Sequence, residues 1–296
     1  MTRAWLLVAA VLIVAPTPQV KRPVCAADNA GLTLQPGFCA LIVAGGLGFF
    51  THLELRRLVQ RAPGFRLSLQ TRLVLVVTAA LVVSGALGFY VFESRNALRD
   101  ESAGGALLIS LFQAVTSRTA GFNTIDLSRL TNATLFMMIL LMFVGASPGS
   151  TGGGIKTSTL GVLVAMARSR IRGEEGVHIF YRSVPSATVA KALSVLVLAF
   201  SLVTLAVAAL AFVEIGTEPF PQSDKQFIEI FFEVVSAFGT VGLSTGITPR
   251  LSVLGKFILV LVMLVGRVGP LTVASAVGRL QPRGKFRYAE ENVMVG

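Results

Sequence analysis

The chain has 296 residues, of which 53% are hydrophobic and 14% are charged, and its mean hydropathy is +0.75. Soluble domains contain about 25% charged residues, so this composition excludes an ordinary soluble protein and indicates an integral membrane protein. The net charge of +11 does not indicate nucleic-acid binding, because the basic residues are spread over several loops and form no single patch.

The N-terminal end resembles a secretory signal, because Arg3 precedes an apolar run over residues 5–15. No convincing cleavage site follows. The preferred interpretation is a short membrane segment at a truncated N-terminus, and a removed signal is the alternative. Cys25 and Cys39 are interpreted as small apolar residues, since their spacing demands neither a disulfide nor a metal site.

Three later apolar stretches are long enough to cross about 30 Å of hydrocarbon as helices. They cover residues 73–92, 189–213 and 251–277. Basic residues dominate the connections that precede 73, precede 189 and follow 277, whereas the other connections lean acidic. By the positive-inside rule, we expect a multi-pass protein of the plasma membrane with its basic loops and C-terminus in the cytoplasm.

Two apolar segments, residues 105–117 and 226–238, are too short to cross, because thirteen residues extend only about 20 Å as a helix. They are predicted to enter the membrane and turn back. A glycine-centred polar stretch follows each of them. Backbone that leaves a helix at membrane depth is tolerated only where protein buries it or where it lines a water-filled cavity. These stretches are therefore expected to face a pore.

One order of elements occurs twice: a spanning helix, a short helix, a glycine-centred stretch and a second helix that glycine interrupts. This pattern predicts an all-α integral membrane protein of repeated helix–pore-helix–helix units, as in potassium channels. Complete repeats are assigned to residues 70–184 and 185–296. Residues 1–69 are assigned to a partial repeat, with a degenerate glycine stretch and the helix around Gly45 to Gly48.

A potassium filter replaces the water shell of the ion with backbone carbonyl oxygens from several strands on one axis. Glycine suits such strands, because it adopts backbone angles that other residues avoid. Residues 240–243 depart at their fourth position from the Thr-Val-Gly-Tyr-Gly loop of potassium channels, and residues 119–122 and 29–32 are looser relatives. The predicted potassium-binding carbonyls belong to Asn29, Ala30, Gly31, Leu32, Thr119, Ala120, Gly121, Phe122, Thr240, Val241, Gly242 and Leu243. Tight turns between helices are the alternative interpretation.

These motifs resemble the Trk/Ktr/HKT superfamily of potassium transporters, and most closely the membrane subunit of Ktr-type systems. The matching stretches are residues 116–124, 149–157, 236–248, 266–270 and 292–296. The resemblance implies four repeats with one filter loop each. The first repeat and the front of the second are not recognisable. We therefore expect a truncated product that does not conduct selectively alone, or a missing part supplied by another chain.

A second glycine-rich stretch interrupts the helix predicted over residues 133–167. Pro148 removes a backbone donor there, and the glycines weaken helix propagation. By resemblance, this stretch is the intramembrane gate loop beneath the filter, and Arg267 forms an electrostatic barrier to cations near it. The predicted gate residues are Gly145, Pro148, Gly149, Gly152, Gly153, Gly154 and Arg267. The alternatives are a simple kink and an Arg267 side chain that extends to the interface.

The same stretch comes close to a phosphate-binding loop, but Ile155 separates Gly154 from Lys156 and an apolar helix stands where a strand is required. No nucleotide is therefore expected to bind to this chain.

Two basic residues, Arg118 and Lys156, lie beside the predicted cation path. By the family pattern they are expected to pair with carbonyls or carboxylates that hold the loops. Glu229 and Glu233, one turn apart on a short helix, are candidate partners.

The expected function is potassium uptake through a pore-forming subunit, with sodium dependence and symport left open. The resemblance further implies a homodimer with residues 293–296 near the subunit contact, and a cytoplasmic nucleotide-binding regulatory ring. An enzyme is not expected, because the sequence lacks clustered acids, histidines or a nucleophile–base pair. Two alternatives are a polytopic membrane enzyme that uses Lys156 or His178, and a non-conducting fragment that associates with an intact pore subunit.

Overall fold

The computed structural model describes residues 29–60, 66–174, 176–216, 220–269 and 272, with side chains for all of these except 29–34 and 220–225. The described α-helices are α1 Asn29–Gly46, α2 Phe49–Val59, α3 Leu69–Glu93, α4 Ala103–Thr116, α5 Asn132–Phe143, α6 Thr157–Ile171, α7 Ser186–Glu214, α8 Phe220–Gly239 and α9 Val253–Val268. The strands β1 Val177–Ile179 and β2 Arg182–Val184 form an antiparallel hairpin. The fold is therefore mostly helical, as predicted, and the hairpin is an addition. The N-terminal apolar run, Cys25 and the C-terminal tail lie outside the described residues.

Two helices are long and apolar enough to span a membrane, α3 and α7, among the residues that the structure describes. They contain the predicted spans 73–92 and 189–213. Helices α1 and α2 form a third candidate span if the pair is counted as one, although it bends by 108°. Helix α9 begins as predicted but ends at Val268, before a Gly269 with φ 94°. After Gly269, residue 272 is the part of the predicted third span that the structure describes.

The predicted break in the long apolar helix is present. Helix α5 ends at Phe143 and α6 begins at Thr157, and a parallel bridge between Val144 and Ile155 closes the neck of the intervening loop. Residues 144–156 are called the intrahelical loop below. Pro148 lacks the donor that helix continuation requires, so the interruption follows from the local sequence.

In each predicted complete repeat, the end of the first helix is joined in the same way to the start of the helix that follows the glycine-centred stretch. The Glu93 carboxylate, at the end of α3, accepts hydrogen bonds from the backbone N–H and hydroxyl of Thr131, both at 2.9 Å. The Glu214 carboxylate, at the end of α7, accepts them from the N–H and hydroxyl of Ser252 at 3.0 and 2.6 Å. Thr131 and Ser252 are the N-caps of α5 and α9, where a nearby carboxylate is electrostatically favourable.

The short helices lie inside the bundle. Helix α4 packs between α1 and α3, and α8 packs against α5, α7 and α9. Buried side chains from α4, α5 and α8, including Ile109, Met142 and Phe238, form the centre. The outer faces of α3 and α7 expose large apolar side chains such as Leu87 and Phe200, which is the surface that lipid requires.

Two predicted boundaries differ from the structure. Helix α8 begins at Phe220, six residues before the predicted start at Gln226, and Pro221 is compatible with its first turn because an N–H is not needed there. Residues 29–32, predicted as an extended filter loop, form the first turn of α1. The glycine at position 31 permits unusual backbone angles but does not impose them, and the alanine and leucine beside it favour a helix.

Candidate functional site

Two glycine loops from distant parts of the chain lie side by side. The first glycine loop, residues 119–122, follows α4, and the second, residues 240–243, follows α8. A Cβ added at Gly121 would overlap the carbonyl oxygen of Val241 and lie 3.4 Å from Cα of Gly242. A Cβ at Gly242 would lie 3.7 Å from Cα of Gly121. Backbone therefore meets backbone where the two short helices end.

Both glycine loops have the same unusual conformation. In the first, φ is 72° at Thr119 and 76° at Gly121; in the second, φ is 53° at Thr240 and 91° at Gly242. A β-branched residue at positive φ is a genuine outlier, and such strain persists where surrounding structure imposes it. The intervening residues do not adopt positive φ. Because residues with positive φ alternate with residues without it, successive peptide groups point to the same side instead of to opposite sides.

Hydroxyl groups of the short helices hold the last residue of each loop. Thr116 Oγ1 donates to the carbonyl of Phe122 at 2.5 Å and accepts its N–H at 2.9 Å. Ser236 Oγ donates to the carbonyl of Leu243 at 2.6 Å. These two carbonyls are engaged within the chain, so the first three residues of each loop offer the backbone oxygens best suited to an ion.

Beyond each glycine loop, a side chain of the short helix reaches the following segment. Gln113 Nε2 donates to Thr124 Oγ1 at 3.2 Å. Ser244 donates its hydroxyl to the Glu233 carboxylate. Glu233 thus binds a serine, and no ion pair within 4.0 Å joins it to Arg118 or Lys156. The sequence places Glu233 on a helix but does not identify its hydrogen-bond partner.

The intrahelical loop is held at three consecutive residues. The carbonyl of Thr151 accepts a hydrogen bond from Arg267, and that of Gly152 accepts one from Lys156 Nζ at 2.5 Å. The N–H of Gly153 donates to Thr240 Oγ1 at 2.9 Å. Lys156 therefore pairs with a carbonyl, as the family pattern implied, and the loop is attached to the second glycine loop.

The intrahelical loop also packs directly against both glycine loops. A Cβ at Gly152 would lie 2.7 Å from Thr119 Oγ1, and a Cβ at Gly153 would lie 2.7 Å from Thr240 Oγ1. At the neck, a Cβ at Gly145 would overlap the carbonyl of Gly153, and Gly154 lies 3.3 Å from the same Cβ position. Only glycine allows this approach.

The bend between α1 and α2 contacts the other end of the intrahelical loop, a contact that sequence reasoning missed. Ser147 N–H donates to the carbonyl of Gly46 at 3.0 Å, and Phe49 N–H donates to that of Gly149 at 3.2 Å. A Cβ at Gly48, where φ is 81°, would overlap the Pro148 carbonyl. The glycine run 45–48 was a visible signal of a break, but its partner was not readable.

Other residues singled out in the sequence lie away from the glycine loops. Residues 29–32 lie in helical backbone, whose carbonyls point along the helix axis. Arg118 is 7% exposed, and its guanidinium lies 3.5 Å from Thr78 Oγ1. Lys156 is the N-cap of α6, whereas His178 belongs to β1. His178 is exposed on β1 and contacts Ser183 at 3.2 Å.

Comparison with known proteins identifies the class to which this fold and these loops belong. Residues 40–287 match the family model described as TrkH, cation transport protein. The chain belongs to this family of cation transporters, and it is a membrane protein with apolar helices. The predicted family is thereby confirmed.

The chain is similar to the Ktr system potassium uptake protein D of Bacillus subtilis, with 36% identity over 257 residues, or 86% of this chain and 55% of that protein. It is also similar to the potassium/sodium uptake protein NtpJ of Enterococcus hirae, with 36% identity over 91% of this chain and 59% of that protein. The crystal structure of the potassium transporter TrkH from Vibrio parahaemolyticus has the same fold, with a TM-score of 0.65 at 17% identity, over 83% of this chain and 52% of that one. The chain spans about half the length of these relatives.

Proposed function

We propose that this chain contributes to a pore for potassium uptake across the plasma membrane. Helices α3–α5 and α7–α9 form two helix–pore-helix–helix units, with α4 and α8 as the pore helices. One observation carries the proposal. Two glycine loops of matching, strained conformation meet backbone to backbone at the ends of two short helices. Irregular backbone inside a membrane protein is tolerated where it lines a water-filled cavity.

Selectivity comes from the carbonyl oxygens of residues 119–121 and 240–242, which replace the water shell of the ion. The positive φ at every second residue of both loops supports this role. A closed filter takes four such loops. The described residues contribute two, so the rest of the ring comes from elsewhere, whether from the same polypeptide or another one.

The intrahelical loop is the gate. It packs beneath both glycine loops, and two cationic side chains, Arg267 and Lys156, hold consecutive carbonyls of it. Opening requires the loop to withdraw from Thr119 and Thr240, which breaks the bond from Gly153 to Thr240. The positive charges raise the barrier to a cation while the loop is seated.

The proposed partners rest on the family resemblance, and the proposed orientation rests on the distribution of basic residues. We infer a homodimer and a cytoplasmic nucleotide-binding regulatory ring, and relatives named as proteins of Ktr systems support an assembly of this kind. Residues 293–296, proposed to lie near the subunit contact, are outside the described residues. The basic loops and the C-terminus face the cytoplasm. If this chain resembles the potassium/sodium uptake protein NtpJ in its substrates, it transports sodium as well as potassium.

The test is potassium uptake by cells that lack their own potassium transporters. Three proteins are compared: this chain, this chain extended at its N-terminus with the corresponding repeats of a Ktr relative, and the extended form with Gly242→Ser. We expect uptake from the extended form, with reduced preference for potassium over sodium in the variant. Unchanged selectivity after Gly242→Ser would contradict the assigned filter.

A non-conducting subunit is the second candidate. The helical backbone of residues 29–32 favours it, because this segment then offers no filter loop. Selective uptake by the unextended chain would exclude this candidate. Failure of both forms, with the protein present in the membrane, would exclude the pore.

A further inference from the structure

The hairpin between α6 and α7 has an unusual tip. Val177 pairs with Val184, and Ile179 pairs with Arg182, so that Phe180 and Tyr181 form the two-residue turn. Both turn residues have positive φ, 49° and 61°. Two-residue turns of this kind favour Asn-Gly, because bulky side chains are disfavoured at positive φ. Two aromatic residues at these positions indicate a role beyond closing the turn.

Both aromatic side chains at the tip are exposed. Tyr181 is 107% exposed and Phe180 is 43% exposed, relative to an extended reference. The other face of the hairpin is fixed, since Val177 and Ile179 are buried. The hairpin therefore holds an exposed aromatic pair on a rigid support.

The packing of the hairpin sets the level of its tip relative to the membrane. Ile179, next to the tip, belongs to a buried cluster with Leu163 of α6 and Ala192 of α7. Ala192 lies six residues after the start of α7, or about 9 Å along the helix. The apolar part of this spanning helix begins near Val189. The tip thus lies beside the point where α7 enters the apolar layer, and it does not extend away from the membrane.

Positive charge lies at this level and beyond it. Exposed basic residues lie on the end of α6, on β2 and on the first turns of α7: Arg168, Arg170, Arg172, Arg182 and Lys191. None of them forms an ion pair within 4.0 Å among the described residues. Glu174 is the acidic residue described in this stretch, and it accepts a hydrogen bond from Ser169. The surface is therefore basic and its charges are available to an external anion.

We propose that the hairpin is a membrane-interface anchor, in which Phe180 and Tyr181 enter the headgroup layer and the surrounding basic residues bind anionic phospholipid headgroups. Aromatic residues concentrate at membrane interfaces because one end of the ring is apolar and the other tolerates water. Basic side chains at the same level attract anionic lipids. The proposal requires a membrane-embedded chain but no potassium filter, so it stands or falls independently of the transport assay.

The depth of the tip is tested with a fluorescent tryptophan. The natural Trp5 is replaced by phenylalanine, and Tyr181→Trp provides the reporter in full-length protein. The protein is reconstituted in vesicles of phosphatidylcholine and phosphatidylglycerol. We expect strong quenching by lipids brominated near the headgroup and weak quenching by aqueous acrylamide. The opposite pattern, with a tryptophan open to acrylamide and insensitive to brominated lipid, would overturn the anchor and would fit a water-soluble protein partner.

The preference for anionic lipid is tested by charge removal. Arg182→Gln is expected to reduce the enrichment of phosphatidylglycerol over phosphatidylcholine among co-purified lipids by about five-fold, since one basic residue near an anionic surface contributes that factor. Arg129→Gln is the matched control, because Arg129 lies in an acid-leaning loop next to Asp126. Equal enrichment in the two variants would contradict the proposal.

A last variant separates the aromatic pair from the folding of the hairpin. Phe180→Asn combined with Tyr181→Gly supplies the residues that the turn prefers, so the strands are expected to remain paired. In this protein, a tryptophan reporter at Ser183, which is exposed on β2 two residues from Tyr181, is expected to be quenched less by lipid than the same reporter in the protein that keeps Phe180 and Tyr181. No change between the two proteins would show that the aromatic pair does not set the contact with lipid.

Discussion

The two glycine loops share a backbone conformation but differ in how they are attached. Phe122, at the end of the first loop, is 45% exposed, whereas Leu243 at the same point of the second is 2% exposed. Thr240 is hydrogen-bonded to the intrahelical loop, while Thr119 meets that loop by packing against Gly152. The shared conformation suits one common task, and the unequal attachment means that equal substitutions should have unequal effects.

The largest expected difference concerns the two glycines. Gly121→Ala combines a positive φ with overlap of the Val241 carbonyl, and we expect it to lower the free energy of unfolding by about 2–5 kcal/mol. The Cβ of Gly242→Ala meets open space except for one ordinary contact. The positive φ alone should therefore lower the free energy of unfolding by about 1–2 kcal/mol. Thermal unfolding of both variants in detergent measures the difference.

Gly104→Ala serves as the control for these two variants. Gly104 lies in α4 with nothing within 4 Å of its Cβ position. Alanine should therefore stabilise the helix by about 0.5–1 kcal/mol. If Gly121→Ala proved as harmless as Gly104→Ala, the close approach of the two loops would be wrong.

The next effect concerns the threonines that open each loop. Thr240→Val removes the acceptor of the Gly153 N–H, and an unsatisfied buried donor costs about 1–3 kcal/mol. Thr119→Val keeps the shape and removes no hydrogen bond to the intrahelical loop among the described residues. Hydrogen exchange at Gly153 should therefore accelerate in the first variant and not in the second. Equal acceleration would mean that both loops are attached in the same way.

A smaller effect concerns the hydroxyls that hold the last carbonyl of each loop. Thr116 makes two hydrogen bonds to Phe122, whereas Ser236 makes one to Leu243. We expect Thr116→Ala to lower the free energy of unfolding by about 2 kcal/mol and Ser236→Ala by about 1 kcal/mol. Denaturation of the purified proteins compares them. Thr116→Ser restores the hydroxyl and should recover most of the loss; if it does not, the methyl group, and not the hydrogen bonds, explains the effect.

The parts of the fold that sequence predicted are those with a local cause. A long apolar run in a membrane can satisfy its backbone only as a helix, which fixes α3 and α7. Pro148 and its glycine neighbours stop a helix wherever the rest of the chain lies. The assignment of filter and gate residues stays a prediction, although the structure brings most of them together.

The parts that sequence did not predict depend on distant contacts. The docking of Gly46 and Gly48 on the intrahelical loop joins residues about a hundred positions apart, and no periodicity encodes it. The hairpin turn at Phe180 and Tyr181 violates turn preferences, so packing against α6 and α7 must impose it. Residues 29–32 show the reverse error, since a glycine motif was interpreted as a loop where helix prevails.

The smallest expected effect concerns the two cations beneath the glycine loops. Lys156→Met removes the bond to Gly152, under the first loop, and Arg267→Gln weakens the bond to Thr151. Each side chain meets one carbonyl, and partial exposure screens its charge, so basal potassium flux through the extended form should rise by no more than about five-fold in either variant. Arg267 and Lys156 carry like charges and bind the carbonyls of two adjacent residues, so they repel each other. Removing either cation relieves that repulsion for the other, and the double variant should therefore differ from the product of the single effects. A strictly multiplicative result would mean that the two cations hold the loop independently.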